Sequence, residues 1–259
     1  MNYGFLVETA LLGQGLKSCD NETIREVWCK KLPADLRVLV WLWQGQIVIG
    51  NIDEFLEIRH TENMGRFSRN NLRKVMRNGE SGFLTAAAAM EVAAELCEQY
   101  VVSCGIGGII DGVVSSDLPA LCGLPVVLFC TSPKDMIDPQ TVLDYLHQRG
   151  LVIYGKGTDK INGYLFIGKD WQLDGCISKL SDVPMSCPLV LNPISEELRF
   201  IDRDILAKAL LKGKEAVALG KAYHPAVNGA LDGFTEGRSS YLQLVSLIDN
   251  VKYVYDETK

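Results

Sequence analysis

Residues 85–108 read Thr-Ala-Ala-Ala-Ala-Met-Glu-Val-Ala-Ala-Glu-Leu-Cys-Glu-Gln-Tyr-Val-Val-Ser-Cys-Gly-Ile-Gly-Gly. The part Thr85–Gln99 holds six alanines and no glycine or proline, which is the composition of a strong helix. Tyr100–Cys104 then runs apolar without alternation, as a strand does when both of its faces are covered. A helix feeding such a strand, followed by a glycine-rich turn, is the repeating unit of a parallel α/β sheet. Working outward, Gly4–Val7, Leu36–Trp43, Gln46–Gly50, Pro125–Cys130, Leu151–Tyr154 and Pro188–Leu191 also read as strands, with a tight Gln-Gly turn joining the second and third. Helices are expected from Asn21 to about Lys31, from a Ser68 cap through Met76, and over Asp138–Arg149, Asp202–Leu219 and Ser239–Val254. The pattern predicts an α/β fold with a largely parallel central sheet. No repeat or linker interrupts it, so residues 1–259 are expected to form one domain, mostly helical from about 200 to 259.

The composition supports an ordinary folded chain. At 259 residues, 47% apolar and 22% charged, it can bury a core without disulfides or metal. A net charge of −6, with no basic block, argues against binding nucleic acid through its phosphates. The start, Met1–Gly15, has no basic region or small-residue cleavage site, so no signal peptide is expected. Leu118–Cys130 is too short and too interrupted by Pro119, Gly123 and Pro125 to span a bilayer. Eight cysteines occur with no Cys-x-x-Cys pair, and most sit in or beside apolar runs, as small core residues do. The expectation is a reduced, cytoplasmic protein with no membrane or nucleic-acid partner.

Several segments could carry chemistry. Cys104–Gly112 invites a dinucleotide reading, but Ile110 stands where the fingerprint needs its third glycine. A turn whose amides approach an anion or another chain segment fits better. Lys134 lies just past the strand Pro125–Cys130, Glu8 at the end of the first strand, and Ser103 near the end of another. Ligands of open α/β sheets bind outside those carboxyl ends. Taken alone, each also reads as an ordinary loop residue. Ser115-Ser116-Asp117 equally suits a helix N-cap, with Leu118-Pro119 opening the helix. His60, His147 and His224 fall at polar positions away from any nucleophile-like serine or cysteine and are expected at the surface.

As an ordered set, these segments resemble the pseudouridine-5′-phosphate glycosidases. The resemblance rests on Leu6-Val-Glu-Thr9 with Gly15, Phe67-Ser-Arg69, Gly82 with Thr85-Ala86 and Met90, and Gly105-Ile-Gly-Gly108. It continues through Ser115-Ser-Asp-Leu118, Cys130-Thr-Ser-Pro-Lys134, Gly157-Thr-Asp159 and Leu191-Asn-Pro-Ile194, and thins after about Lys212. It implies a three-layer α/β/α fold, assembled as a homotrimer. It also implies an enzyme that reversibly splits the carbon–carbon glycosidic bond of pseudouridine 5′-phosphate into uracil and ribose 5-phosphate. By position, Lys134 is the residue that forms a Schiff-base adduct with C1′, and Glu8 is the proton shuttle. Arg66 stands where the family has a substrate-contacting lysine. Ala86, after Thr85, matches a position whose backbone meets the substrate. Ser115, Ser116 and Asp117 match the phosphosugar-binding triplet, and Asn192 matches an asparagine near the substrate. Ser103 joins these candidates from its strand-end position alone.

The chemistry explains the need for such residues. A C-glycoside has no leaving oxygen to protonate, so paired carboxylates alone do not suffice. A lysine of pKa ~10.4 is only about one part in 2,500 neutral at pH 7, a handicap of roughly 4.6 kcal/mol. Burial or a cation, for which Arg66 is the candidate, must lower it. This chain also departs from the pattern. It is about five residues shorter between Gly108 and Ser115, Ile110 replaces a histidine, and Val113 replaces the manganese-binding aspartate. Arg69-Asn70 stands for paired arginines. Manganese is thus a cofactor by resemblance only, with Asp111 as a tentative substitute ligand. Two alternatives stay open: a synthase joining ribose 5-phosphate to a different nucleophile, and a non-catalytic descendant that binds a phosphosugar or nucleotide.

Overall fold

The computed structural model describes residues 3–220 and 223–259, with only the backbone of His224. Among them, ten strands form one mixed sheet. Its order is Gly175–Ile177, Ile153–Lys156, Leu189–Leu191, Val127–Cys130, Tyr100–Val102, Phe5–Val7, Leu39–Trp43, Gly82–Leu84 and Gly65–Phe67, with Gln46–Gly50 added to Leu39–Trp43. Pairing is parallel from Gly175–Ile177 across to Leu39. Leu39–Trp43 meets both Gln46–Gly50 and Gly82–Leu84 antiparallel.

The unbroken apolar runs are explained by cover on both faces. Side chains alternate along a strand, so Phe5, Val7, Val102, Phe129 and Val190 enter one buried layer, and Leu6, Val101, Leu128, Leu189 and Leu191 the other. The first layer is closed by helices Asn21–Cys29, Ile52–Ile58 and Arg238–Glu257, the second by Arg69–Arg77, Ala86–Glu95, Asp117–Gly123 and Pro139–His147. The architecture is therefore three-layer α/β/α. The last helix belongs to the core: Leu244, Leu247, Ile248, Val251 and Val254 are all fully buried, and Phe129 stacks on its Tyr253 at 5.1 Å.

Several boundaries differ from expectation for local reasons. The alanine-rich helix stops at Glu95, because the chain turns at Cys97 (φ 59°) to enter the strand at Tyr100. Gln44 (φ 48°) and Gly45 (φ 76°) both take left-handed conformations, the turn that matches the twist of a two-residue hairpin. The helix Ile52–Ile58, unforeseen, begins with a reciprocal cap in which the Asn51 side chain accepts from the Glu54 N–H and Glu54 accepts from Asn51. Leu11–Gly15, Gly65–Phe67, Gly82–Leu84 and Tyr223–Phe234 were likewise not expected as elements. The thiols divide more evenly than foreseen: Cys19, Cys104, Cys130 and Cys187 are buried, Cys122 is partly buried, and Cys29, Cys97 and Cys176 are exposed. No helix among the described residues is long and apolar enough to cross a membrane.

Candidate active site

The carboxyl ends of the central parallel strands open into a pocket of about 300 Å³. It is lined by Glu8, Arg66, Thr85, Ala86, Ser103, Ser115, Ser116, Asp117 and Lys134, which the sequence had singled out, together with Gly105, Gly107, Tyr223 and Pro225.

Strand extension delivers the two central groups. Glu8 follows Phe5–Val7, and its N–H continues the ladder to the Val102 carbonyl at 3.0 Å. Beyond the main sheet, Gly105–Ile106 and Ser132–Pro133 pair in parallel, and the Lys134 N–H donates to the Ile106 carbonyl at 3.2 Å. That short ladder fixes where the lysine leaves the backbone. It also explains the glycines. A Cβ on Gly105 would come within 3.1 Å of Lys134 Cγ, and one on Gly107 within 2.4 Å of Ser115 Oγ. Behind Glu8 the chain makes a π-helical turn, Leu11–Gly15, and the Leu11 N–H donates to Glu8 Oε2 at 3.3 Å. Ser103 Oγ donates to Glu8 Oε1 at 3.4 Å.

The electrostatics push both groups toward their neutral forms. Burial raises the Glu8 carboxyl above the usual carboxylate range, opposed first by Arg66 and then by Lys134. Burial lowers the Lys134 ammonium below its ordinary value, helped by Arg66 and opposed by Asp117 and Glu8. A carboxyl shifted toward its protonated form, in one pocket with an amine shifted toward its free-base form, suits a general acid paired with a nucleophile.

The rest of the lining carries groups that suit an anion. Thr85 precedes the helix Ala86–Glu95, and its buried hydroxyl has no hydrogen-bond partner among the described residues, unusual for a buried polar atom. Thr85, Ala86 at the helix N-terminus and the exposed Arg66 share the pocket lining with Ser115 and Ser116. Asp117 has a different occupation. Its two carboxylate oxygens accept the N–H of Ala87 at 3.2 Å and of Gly107 at 2.8 Å, tying the helix start to the glycine turn. Ser116 hydrogen-bonds Ser68 side chain to side chain.

Asn192, expected beside the substrate, does not line this pocket. It faces a separate cleft of about 430 Å³ and donates to Asn250 Oδ1 at 2.8 Å. Asn250 in turn donates to the Ser103 carbonyl at 2.9 Å and to Thr131 Oγ1 at 3.0 Å, so Asn192 touches the site wall through an intermediary. His60 is exposed, and His147 pairs with Asp174 at 2.9 Å on the surface. The His224 side chain lies outside the described residues.

The manganese expectation meets an unsuitable donor set. Val113 has no donor atom in its side chain and is 72% exposed, and Asp111 sits at the tip of the hairpin Ile109–Ile110/Val113–Val114. Both Asp117 oxygens already accept backbone N–H groups. Among the described residues no three His, Cys, Asp or Glu side chains gather as a hard cation requires. The residues present do not fit the metal, and no step below uses one.

Comparison with known proteins agrees with this architecture. The pseudouridine-5′-phosphate glycosidase of Methylobacterium nodulans is 28% identical over 261 residues, covering 90% of this chain and 76% of the relative. The crystal structure of an indigoidine synthase A-like protein from Thermotoga maritima superposes with a TM-score of 0.81 at 21% identity, over all of this chain and 94% of that one. The prealnumycin C-glycosynthase AlnA, solved with ribulose 5-phosphate, shares the fold with a TM-score of 0.76 at 19% identity, over 98% of this chain and 90% of that one. The family model described as indigoidine synthase A like protein matches residues 8–254, from the acid at the first strand's end to the buried last helix. The chain belongs to the indigoidine synthase A-like protein family.

Proposed function

We propose that the protein is a C-ribosyl phosphate glycosidase that breaks or forms the carbon–carbon bond between ribose 5-phosphate and a base, with pseudouridine 5′-phosphate as the first substrate to test. The observation that carries this reading is the meeting of Glu8 and Lys134 in one pocket, each pushed toward its neutral form, with Arg66 and the first residue of the helix Ala86–Glu95 in the same lining. The relatives' names point the same way.

In the cleavage direction the Lys134 amine attacks C1′ while the C1′–O4′ bond breaks. The electron pair goes to O4′, which takes the Glu8 proton. The Glu8 carboxylate then removes a proton from the new C–N ammonium and passes it to the base carbon. Next, the nitrogen lone pair forms C=N as the electrons of the carbon–carbon bond return to the ring, which leaves as the neutral base. Water adds to the iminium and releases the aldehyde of ribose 5-phosphate, and Lys134 is regenerated. The net reaction consumes one water and needs no redox partner. Arg66, the Thr85 hydroxyl, the Ala86 amide and Ser115 hold the 5′-phosphate through charge-assisted bonds. Asp117 holds the glycine turn in place. The reading carries the homotrimer with it, which sedimentation of the full chain tests.

The test is incubation with pseudouridine 5′-phosphate, with uracil and ribose 5-phosphate measured together. Equal amounts of both, lost in Lys134→Ala, are expected. Binding of ribose 5-phosphate with no turnover in either direction would favour the non-catalytic alternative.

A further inference from the structure

The last helix, Arg238–Glu257, packs Leu244, Leu247, Ile248 and Val251 into the core, yet it also buries a polar stripe, Gln243, Ser246 and Asn250. Residues at that spacing share one helix face. Burying them is costly unless each is paired. Gln243 accepts from the Tyr164 hydroxyl at 3.3 Å, and Ser246 hydrogen-bonds Thr131 side chain to side chain. Asn250, fully buried, spends its carboxamide on three neighbouring strand ends at once. It donates to the Ser103 carbonyl at 2.9 Å and to Thr131 Oγ1 at 3.0 Å, and it accepts from Asn192 at 2.8 Å. Ser103, Thr131 and Asn192 each follow one of three adjacent parallel strands, Tyr100–Val102, Val127–Cys130 and Leu189–Leu191.

A shift in the ladder makes room for this contact. The Ser103 N–H donates to the Phe129 carbonyl at 3.0 Å, and a regular parallel ladder would then bring the Thr131 N–H to the Ser103 carbonyl. Instead the Thr131 N–H donates to the Cys104 carbonyl, one residue on, at 2.7 Å. Past this shift the pairing resumes as the separate ladder of Gly105–Ile106 with Ser132–Pro133, which leads to Lys134. The Ser103 carbonyl is thereby released from the sheet, and the Asn250 amide takes it. The same shift lies between the two reacting groups. Glu8 leaves the sheet beside Ser103, whose Oγ donates to it, and Lys134 leaves beyond Thr131. Their strands are two inter-strand spacings apart, roughly 10 Å at the backbone.

We infer that Asn250 is a positioning residue for the reaction: it holds Ser103 and Thr131 where the ladder shifts, and through them sets how Glu8 and Lys134 face each other. The inference rests on the proposed adduct chemistry. Asn250 does not line the catalytic pocket, so it acts on geometry alone. A misplacement of about 1 Å is worth roughly 10²-fold in rate. The anion-binding groups stand on other elements, Arg66 on Gly65–Phe67 and Thr85 before Ala86–Glu95, so affinity for the phosphosugar does not depend on this tie. A side chain that only satisfied buried polar groups would change stability and leave the rate alone.

Reductive trapping of ribose 5-phosphate by the full chain, followed across sugar concentration, gives a maximal rate and a half-saturating concentration. Asn250→Leu, similar in size, removes all three hydrogen bonds. Its maximal rate is expected to fall about tenfold to 100-fold while half-saturation stays within about threefold. Thr131→Val removes one end of the tie and keeps the shape, so a smaller fall of the same kind is expected. The two changes together fall no further than Asn250→Leu alone, because members of one network do not add. Val254→Ala, one turn on in the same helix, loosens the core without removing a bond to any strand end. It lowers the thermal transition and leaves the maximal rate. An undiminished maximal rate in either tie variant, an equal loss in Val254→Ala, or losses that multiply in the combination overturn the inference. If Asn250→Leu does not fold, Thr131→Val against Val254→Ala decides. The unmodified chain separates the two levels. Trapping on Lys134 that the tie variants match removes the positioning role alone, and failure of trapping removes the chemistry beneath it as well.

Discussion

Replacing Arg66 with glutamine separates two jobs that the structure gives one guanidinium. Arg66 is the second cause, after burial, of the lowered Lys134 value, and it lines the same pocket as the lysine. Because the side chain is exposed, its field is screened. Exposed charge pairs are worth about 0.2–1 kcal/mol, which is at most ~0.7 of a pH unit at 1.36 kcal/mol per unit. Removing the cation favours the ammonium, so the inflection for adduct formation moves up by less than about one unit. At pH 7 the neutral fraction then falls about fivefold at most. The phosphate contact is larger, because substrate binding desolvates it: roughly 2–4 kcal/mol, or about 30- to 1,000-fold. The assay is the rate of reductive trapping across pH with ribose 5-phosphate and with free ribose. Arg66→Gln is expected to slow the phosphorylated sugar 30- to 1,000-fold and free ribose fivefold or less. Arg66→Lys keeps the charge and loses the fork, so the inflection stays while part of the phosphate preference is lost. Equal losses for both sugars, or an inflection that moves down, would refute the reasoning.

Three further outcomes follow from the same geometry. Glu8→Gln keeps the shape and an oxygen for the Leu11 N–H, so the thermal transition survives while turnover falls about 10²-fold or more; loss of the transition instead would make Glu8 structural. Burial pushes the Asp135 carboxyl from 3.8 up to about 6, against N–H donors from Tyr164, Leu165 and Phe166. The folded state thus holds this proton longer, and denaturation at a series of pH values should show stability lost as pH rises from 3.8 through about 6, by about 3 kcal/mol relative to Asp135→Asn; a pH-independent difference contradicts it. Turnover is expected to persist after exhaustive chelation, since Val113 and Asp111 do not build a cation site; strict manganese dependence would overturn that.

The strands Tyr100–Val102 and Val127–Cys130 were legible because cover on both faces demands an apolar residue at every position. Gly65–Phe67 and Gly82–Leu84 are three residues each, too short to show a period, and they depend on their neighbours. Ile52–Ile58 did carry a local signal, Asn51 with Glu54 three residues on, that periodicity alone passes over. In the site, residues at strand ends could be placed because the backbone alone brings them together, as with Glu8, Ser103 and Lys134. What a side chain bonds was not legible. Asp117 spends both oxygens on backbone N–H groups, and Asn192 reaches the wall only through Asn250, whose position depends on a helix packed from the far end of the chain. Tyr223 enters the pocket from the same C-terminal region, where no local pattern marks it.

The central claim is that Lys134 is the nucleophile, and one measurement addresses it directly. The full chain is incubated with ribose 5-phosphate and a hydride reductant, digested, and mapped by mass spectrometry. The account predicts one reduced pentose-phosphate adduct, on the peptide containing Lys134 and absent from Lys134→Ala. No adduct, or one equally abundant in that variant, would contradict it.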